Sequence, residues 1–367
     1  MAFFRHPLGK LAQLALLAFV LWYVGSWLGY KKFFPPYYFR IVMLSGIAII
    51  LSVSLNLVNG VTGQFSIGHA GFMAVGAYTA AAFTVFGQHW KLLPPLGAAG
   101  PVLQQGALVG ALVVGGAAAA LAGLLVGLPS LRLKGDYLAI VTLGFGEIIG
   151  VTIRNIEAVG GAAGFSGFAA PGGRILIPAL TSFFWVYFVA AGVILFSRNL
   201  LASTHGLRFL SVREDEIAAE AMGVPTTRVK VTAFVFSAFF AGVAGALFAH
   251  YDTYLKPDSF NFLRSIEIVT MVVLGGMGSI TGSTLGAVLL TTLPEYLRAS
   301  LGDLQRKKVI PENISPDLVR QLLYALLLVV LMLTRPRGLF GERELGILGL
   351  FRRRERRRAA THGPQQG

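Results

Sequence analysis

The chain has 367 residues, of which 55% are hydrophobic and only 13% are charged. A soluble globular protein carries about 25% charged residues, so much of this surface must face something other than water. The chain has no cysteine, which excludes disulfides, thiolate metal ligands and a cysteine nucleophile. The composition predicts an all-α, polytopic bundle of membrane helices.

The net charge of +14 is concentrated near the C-terminus. Nine of the 31 Lys and Arg residues lie at or after Arg335, and six of these fall between Arg352 and Arg358. A basic tail after a hydrophobic chain is typical of a cytoplasmic anchor beside anionic membrane lipid. Because no basic stripe with interleaved aromatic residues occurs elsewhere, we expect no nucleic-acid partner.

We predict about ten transmembrane segments, because a helix that crosses a bilayer needs about 20 mostly apolar residues. In chain order they are roughly 11–28, 39–57, 70–87, 106–128, 137–153, 178–197, 231–250, 266–277, 283–297 and 319–334. The first is expected to be a retained span, since no small-residue cleavage site follows it. The fifth, eighth and ninth are short or interrupted by Gly, so we expect them to be tilted, bent or partly re-entrant.

The predicted organisation has three parts. Residues 1–38 form an N-terminal span and outer loop, 39–334 a transmembrane core, and 335–367 a disordered basic tail. The tail and the long loop 198–230 fall on the same side by span parity, and the Lys/Arg bias places that side in the cytoplasm. Recurrent small-xxx-small pairs predict close helix packing. They are Gly106/Gly110, Gly123/Gly127, Gly146/Gly150 and Gly282/Gly286.

The segment Asn56–Gly71 joins the second and third spans. It is too polar for hydrocarbon and too rich in Gly for a regular helix. Its hydrogen-bonding side chains are Asn56, Asn59, Thr62, Gln64, Ser66 and His69. Two interpretations stay open: a helix break that meets a polar solute through free backbone groups, or a capped turn whose side chains satisfy its own backbone.

Three ionisable residues, Glu147, Glu267 and His250, fall inside apolar spans. A charge at the bilayer centre is costly, so each must face a cavity or a partner. Structural pairing with Arg154 or Arg264 is an equally good interpretation; an i,i+3 pair favours it for Glu267. The glycines beside Glu147 favour a solute path there. The candidate pathway residues are Asn56, Asn59, Gln64, Ser66, His69, Thr142 and Glu147.

The long loop between the sixth and seventh spans contains a predicted helix over 211–224. Ser211 with Glu214 three residues later forms a capping box, and acidic residues crowd the first turn. Gly223 and then Pro225 are expected to end the helix. A capped helix inside a long connector indicates a docking element, although a solvated connector is the simpler alternative.

The sequence resembles the permease subunits of ABC importers, specifically the branched-chain amino acid (LivM-type) family, from about residue 40 to about 340. The resemblance rests on Asn56–Gly71, on Gly135–Gly144, on the inner loop and on Val273–Gly282. In that family the inner loop resembles the "EAA" coupling segment, and Ala218, Ala219 and Gly223 match it. Ile217 stands where the pattern has Glu, and the nearest acid is Glu216. The implied ATPase-coupling residues are Arg213, Glu214, Asp215, Glu216, Ala218, Ala219 and Gly223.

The resemblance also implies partners: a second permease subunit of similar type, two cytosolic ATPase subunits and an extracytoplasmic substrate-binding protein. It implies a multi-pass protein of the bacterial inner membrane with a cytoplasmic C-terminus. The chain lacks the G-x-x-x-x-G-K-[ST] phosphate-binding motif, so ATP would be used by the partner subunits. We expect no enzyme activity, no directly bound cofactor and no metal site in the chain itself.

Other readings remain. Gly164–Gly167 matches the G-x-S-G of rhomboid-type proteases, and Ser166 with His250 would be its nucleophile and base. A secondary transporter or channel would also fit broken helices and buried carboxylates, but it does not explain the capped inner helix. Within the importer interpretation, urea, amides or aromatic acids are alternative substrates to branched-chain amino acids.

Overall fold

The computed structural model describes residues 35–96, 100–131, 133, 135–170 and 173–306, with isolated positions between 319 and 339. The predicted first span, 11–28, lies outside the described residues, as does the basic tail after 339. The predicted last span, 319–334, is described only at isolated positions.

The described residues form ten α-helices. These are α1 Pro36–Asn56, α2 His69–His89, α3 Pro101–Ser130, α4 Asp136–Asn155, α5 Phe183–Leu201, α6 Thr204–Glu214, α7 Glu216–Ala221, α8 Thr226–Asp252, α9 Phe262–Gly275 and α10 Ile280–Arg306. Within the described ranges, the first five and α8 are long and apolar enough to cross a membrane. These six helices coincide with six of the ten predicted spans. The fold is thus an all-α polytopic membrane bundle.

The helix boundaries follow local sequence signals. Pro101 occupies the first position of α3, where its missing N–H is not needed and its fixed φ suits a helix. Helix α8 ends where Thr253 adopts the left-handed conformation with φ of 57°. Such a residue turns the chain away from the helix axis, so α8 ends before the polar segment that follows.

Small residues set the packing of α2, α3 and α8. A Cβ added to Gly242 of α8 would lie 2.7 Å from the carbonyl oxygen of Gly115 in α3 and would overlap the side chain of Ala119. A Cβ added to Gly76 of α2 would overlap the backbone of Gly242. Since lipid gives apolar helices no hydrophobic drive to associate, backbone contact of this kind is what holds them together. Of the predicted pairs, Gly123/Gly127 and Gly282/Gly286 pack closely, whereas Gly106 and Gly150 face open space.

Two helices are interrupted, as expected from their sequence. After Asn56 the chain makes a single π turn over Leu57–Val61, and Gly63 with φ of 67° begins a non-helical stretch up to His69. Helix α9 has only 14 residues and leads through Gly276 and Gly278, both with positive φ, into α10. At 1.5 Å per residue α9 is about 21 Å long, shorter than a bilayer core of about 30 Å.

The expectation that the fifth and ninth spans are short or interrupted by Gly is wrong, because each lies in one continuous helix, and α10, which contains the ninth, has 27 residues. Helix α4 runs without a break over 20 residues. Gly144, Gly146 and Gly150 are all helical within it, and none has positive φ. Glycine permits a break but does not impose one; a break needs a left-handed residue such as Gly63.

The predicted single helix 211–224 is also wrong, because the segment forms two helices. Ser203 caps α6, and Ser211 lies inside α6, where its hydroxyl donates to the carbonyl of Arg208. Asp215 has extended backbone angles and separates α6 from α7. Its carboxylate accepts from the backbone N–H groups of Ile217 and Ala218 at 2.9 and 3.0 Å. Asp215 caps α7 more effectively than Ser211 could, because its carboxylate accepts from two backbone N–H groups that have no partner inside the helix.

The two ends of the bundle differ. One end, called the loop end, carries α6, α7 and the α9–α10 turn. The opposite end, called the hairpin end, carries an antiparallel pair of short strands, β1 Gly167–Ala170 and β2 Gly173–Leu176, which the all-α prediction did not include. There Phe165 pairs with Leu255 through two backbone hydrogen bonds of 2.8 Å, so the hairpin region is joined to the segment after α8.

Candidate functional site

The polar side chains of the interrupted segment are tied to backbone groups. Asn56 Oδ1 accepts from the backbone N–H of Gly278 at 2.8 Å. The Asn59 side chain forms two hydrogen bonds with the backbone of Ser66. It accepts from the Ser66 N–H at 3.1 Å and donates to the Ser66 carbonyl at 3.2 Å. These contacts replace the helical hydrogen bonds that the break removes. The Asn59–Ser66 pair supports the interpretation in which the segment satisfies its own backbone, whereas Asn56 satisfies the backbone of the α9–α10 turn.

Two further predicted pathway residues connect the break to neighbouring helices. His69 Nε2 lies 3.0 Å from the hydroxyl of Ser54 in α1. Thr142 Oγ1 of α4 accepts from the backbone N–H of Ile67 at 3.1 Å. Five predicted pathway residues are each 5% exposed or less, so they face neither lipid nor open water in this chain. They are Asn56, Asn59, Ser66, His69 and Thr142.

The remaining two predicted pathway residues are accessible. Gln64 is half-buried and donates to the carbonyl of Thr62. Glu147 is exposed on α4, eleven residues after Asp136 and eight before Asn155. At 1.5 Å per residue its carboxylate is near the middle of the helix, about 12 Å or more from either end. Among the described residues Glu147 has no hydrogen-bond or ion-pair partner.

A small cleft lies beside Glu147. It is bounded by the end of the interrupted segment, by α4 and by the start of α9, through Ile67, Gly71, Leu143, Gly146, Glu147, Phe260, Asn261, Phe262 and Ser265. The first residue of α9 therefore lies level with the middle of α4. Helix α9 starts at mid-depth and reaches the loop end at Gly278, which is the half-spanning geometry expected of a partly re-entrant segment.

A second, larger cleft lies nearer the hairpin end, and none of its lining residues borders the first cleft. It has a volume of about 380 Å³ and lies between α2 and α4. Its lining is mainly aliphatic, and three side chains, Tyr78, Thr79 and Thr152, add hydroxyl groups. The other lining residues are Val75, Ala82, Ile149, Ile153, Ile156 and Val159. The Tyr78 hydroxyl is already engaged, since it donates to the carbonyl of Leu255 at 3.1 Å.

The two arginines that the sequence offers as partners for the carboxylates, Arg154 and Arg264, are both in ion pairs. Arg264 Nη1 lies 2.9 Å from Glu267 Oε2, which confirms the i,i+3 pair expected from the sequence. Arg154 does not pair with Glu147, because its guanidinium binds Asp258 at 3.0 Å. Glu147 is thereby separated from the cation that the sequence offered as a structural partner.

At the loop end, Arg213 connects α6 to the helix break. Its Nη1 donates to the carbonyl of Gly60 in the π turn at 3.1 Å. The same guanidinium lies against Gly278, where an added Cβ would be 2.9 Å from Nη1. Because Gly278 also donates to Asn56, one side chain joins α6, the end of α1 and the α9–α10 turn. The sequence did not reveal this contact, which links residues 153 positions apart.

The segment from Asp215 to Gly223 has one anchored face and one open face. Ala219 is buried against the π turn and α8. Glu216 pairs with Lys230 of α8 at 2.6 Å, and the Lys230 side chain is only 2% exposed, a buried cation that sequence reasoning missed. On the open face, Ile217 and Met222 are 74% and 84% exposed. An apolar patch of this kind on a connector indicates an interaction surface.

The remaining coupling candidates lie on the same open side or end the segment. Glu214, Asp215 and Ala218 are exposed. Gly223 has φ of 82°, and an added Cβ there would meet no other atom. The left-handed turn that Gly223 was expected to make is therefore present, while its surroundings leave room for a partner.

The geometry does not support the protease reading. Ser166 lies at the hairpin end, where its hydroxyl accepts from Arg174 at 2.9 Å. Both ring nitrogens of His250 are engaged elsewhere, with Thr84 at 3.1 Å and the carbonyl of Ala246 at 2.8 Å. A general base must reach the proton that it removes, and His250 is instead a satisfied core histidine. Within the described residues, no group of three or more His, Asp or Glu could hold a metal ion.

The helices and their interruptions define a multi-pass helical membrane protein that has polar side chains at its helix breaks. A family model described as "Branched-chain amino acid transport system / permease component" matches residues 37–331. The chain belongs to this family of permease components. No solved structure matches it.

Individual relatives agree with the family. The chain is 37% identical over 292 residues to the "High-affinity branched-chain amino acid transport system permease protein LivM" of Escherichia coli K12, covering 70% of this chain and 63% of that protein. It is 25% identical over 334 residues to a "Probable branched-chain amino acid transport permease protein LivM" of Methanocaldococcus jannaschii, covering 83% and 93%. It is also 32% identical over 132 residues to the LivH permease of E. coli, covering 36% and 38%.

Proposed function

We propose that the chain is a membrane-spanning permease subunit of an ATP-driven importer for branched-chain amino acids. It would receive substrate from an extracytoplasmic binding protein and pass it across the bacterial inner membrane. Similarity to both LivM and LivH permeases supports pairing with a second, related permease. Two cytosolic ATPase subunits would use the ATP, and the loop end and C-terminus would face the cytoplasm.

The observation that carries the proposal is the docking surface at the loop end, defined as the open face of Asp215–Gly223. Its exposed Ile217 and Met222 are apolar, and acidic side chains surround them. A cytosolic ATPase with an apolar groove and basic rim would complement this surface. The "EAA" position that holds Ile217 in place of Glu then contributes an apolar contact rather than a charge.

Arg213 provides a physical route from the docking surface to the membrane. Its charge-assisted hydrogen bond to Gly60 attaches α6 to the end of α1, and its contact with Gly278 attaches it to the α9–α10 turn. A shift of α6 on ATP binding would displace both interrupted helices together. We expect the interruptions to move because they have no continuous hydrogen-bond ladder to resist displacement.

The docking surface is tested by placing a charge on it. Ile217→Asp should leave the folded chain intact but weaken co-purification of the ATPase subunits and reduce leucine uptake into proteoliposomes. His205→Ala is the matched control, because His205 is exposed and lies at the start of α6, away from Ile217. Normal ATPase binding and uptake by Ile217→Asp would show that this surface is not where the ATPase binds.

The Arg213 link is tested separately by the coupling ratio. Arg213→Gln should assemble with the ATPases yet transport several-fold fewer leucine molecules per ATP hydrolysed, since a charge-assisted hydrogen bond is worth about 1.5–3 kcal/mol. Arg208→Gln on the same helix, where the side chain is exposed, should keep the wild-type ratio. An unchanged ratio in Arg213→Gln would exclude this route.

For the substrate path, we propose that Gln64 and Glu147 face it and that Asn56, Asn59, Ser66, His69 and Thr142 hold its shape. Gln64 and Glu147 are accessible, whereas the other five side chains are buried, which supports this division. The native chain has no cysteine, so single cysteines can be introduced directly. Cysteines at 64 and 147 should react with aqueous thiol reagents in the assembled transporter, and cysteines at 59 and 69 should react far more slowly. Equal inertness at all four positions would contradict the assignment.

A further inference from the structure

The outward side of α4 carries a strip of exposed, mainly apolar residues. We call it the α4 outer strip, and it consists of Tyr137, Ile140, Gly144, Ile148 and Val151. These positions are three or four residues apart, so they lie on one face of the helix. The four side chains are each 50% exposed or more. The opposite face, with Leu138, Thr142 and Ile153, is buried inside the chain, so the strip points away from the rest of the bundle.

Glu147 lies at the edge of this strip. It directly precedes Ile148, it is exposed, and it lies about 12 Å or more from either end of α4. Among the described residues it has no ion-pair or hydrogen-bond partner. A carboxylate at this depth in hydrocarbon is strongly unfavourable. Lipid can therefore cover the apolar residues of the strip, but it cannot cover Glu147 beside them.

Water alone does not satisfy this face either. The proposed substrate path supplies water to Glu147, but Glu147 lies on the outside of the chain, so this chain forms only one wall of that path. A second protein surface within the membrane must form the other wall and keep lipid out. The apolar side chains of the strip need the same cover, because open water beside them would be unfavourable.

We propose that the α4 outer strip contacts the second permease subunit, with Glu147 at the border between this contact and the substrate path. The inference rests on the proposed function and identifies the surface through which the two permeases meet. Gly144 suits such a contact, since among the described residues an added Cβ there meets no other atom within 4 Å. A helix of the partner can therefore approach the α4 backbone closely.

Helix α3 shows the contrasting case of a face that lipid can cover. Its outward side chains Val113 and Leu121 are 56% and 60% exposed, much like those of the strip. The 30 residues of α3 include no charged residue, so its outward face suits hydrocarbon. A carboxylate at the edge of the exposed face is what distinguishes α4 from α3.

The charge of Glu147 also indicates which kind of subunit covers the strip. If the strip met a second copy of this chain through a twofold axis, the same residues would face each other. The two Glu147 carboxylates would then lie close together in a medium of low dielectric constant, where like charges repel strongly. The partner surface is therefore that of a different subunit, apolar and without an acidic residue level with Glu147.

Photo-cross-linking in the purified intact complex tests the contact directly. Ile148→p-benzoylphenylalanine places a photoreactive group on the strip, and Val113→p-benzoylphenylalanine places the same group on α3 as the matched control. Both positions are exposed within this chain, so neither change should disturb its fold. On irradiation, the group at 148 should form an adduct with the second permease, identified by mass spectrometry. The group at 113 should give several-fold less of that adduct.

A further variant tests the close approach at Gly144. Gly144→Leu should leave the chain folded, as judged by size-exclusion chromatography, because an added Cβ meets nothing within 4 Å. It should nevertheless lower the amount of second permease that co-purifies several-fold. Gly106→Leu on α3 is the matched control, since that position is equally open, and it should retain the wild-type amount. Wild-type recovery of the second permease with Gly144→Leu would exclude close packing there.

Three cross-linking results would overturn the assignment: no protein adduct at 148, an adduct with a second copy of this chain, or equally strong adducts at 148 and 113. These outcomes are separable from failure of the proposed function. A complex that contains the second permease and hydrolyses ATP in response to leucine-loaded binding protein, but gives no adduct at 148, retains the function and loses only this surface. A wild-type chain with which no second permease co-purifies contradicts the function itself.

Discussion

The contact between α2 and α8 makes Gly245 the most informative position for the packing of the bundle. A Cβ added there would overlap the carbonyl oxygen of Met73 and would lie 2.9 Å from the backbone nitrogen of Ala77 and 3.0 Å from the carbonyl carbon of Met73. Every one of these neighbours is backbone, so no side-chain rotation can relieve the contact. Gly245→Ala must therefore move α2 and α8 apart, by roughly 1 Å to reach ordinary contact distances.

The magnitude follows from two opposing effects. Overpacking a well-packed core costs about 1–3 kcal/mol, and a clash with rigid backbone belongs at the upper end. Replacing a helical Gly with Ala returns about 0.5–1 kcal/mol of conformational entropy. The net expectation is a loss of about 2 kcal/mol of stability. Gly192→Ala in α5 is the matched control, since an added Cβ there meets nothing within 4 Å, and it should gain about 0.5–1 kcal/mol.

The assay is thermal unfolding of the detergent-solubilised protein, followed as the fraction that stays monodisperse in fluorescence-detected size-exclusion chromatography. Gly245→Ala should unfold at a clearly lower temperature than the wild type, and Gly192→Ala at the same or a higher temperature. If the two variants are equally stable, close backbone contact between α2 and α8 is not what holds the centre of the bundle together.

Three further predictions concern single contacts. Lys230→Met should destabilise α7 by less than the about 3–5 kcal/mol typical of breaking a fully buried ion pair, because the Glu216 side chain is 25% exposed. Hydrogen exchange in α7 should accelerate, and adding Glu216→Gln should restore part of the protection. Asp215→Ala should cost α7 about 0.5–2 kcal/mol and increase proteolysis there, whereas Asp215→Asn should resemble the wild type. Thr84→Val should destabilise the protein by about 1–3 kcal/mol in the same melting assay, because buried His250 loses a hydrogen-bond partner; an unchanged melting temperature would refute that contribution.

The spans were predictable because hydropathy depends on composition alone. Six predicted spans match helices in the described residues, and the non-helical stretch after Gly63 was visible as a polar, Gly-rich segment. The course of α4 was not predictable, because Gly144 and Gly63 look alike in sequence. Only one of the two adopts positive φ, and tertiary contacts decide which.

The candidate site was predictable in its residue types but not in its contacts. Several hydroxyl and carboxyl side chains compete as caps near the loop end, and the sequence pointed to Ser211 where the structure uses Ser203 and Asp215. The link from Arg213 to Gly60 spans 153 residues, so no local pattern contains it. The isolation of Glu147 is likewise a tertiary result, since it depends on Arg154 turning to Asp258.

The central claim is that this chain is a permease subunit whose transport is driven by partner ATPases. The most direct measurement is ATP hydrolysis by the intact complex, purified through this chain and reconstituted in proteoliposomes, with and without its binding protein loaded with leucine. The account predicts that a second permease and two ATPase subunits co-purify, and that loaded binding protein stimulates hydrolysis together with leucine uptake. Leucine uptake by this chain alone, driven by an ion gradient and indifferent to ATP, would contradict it.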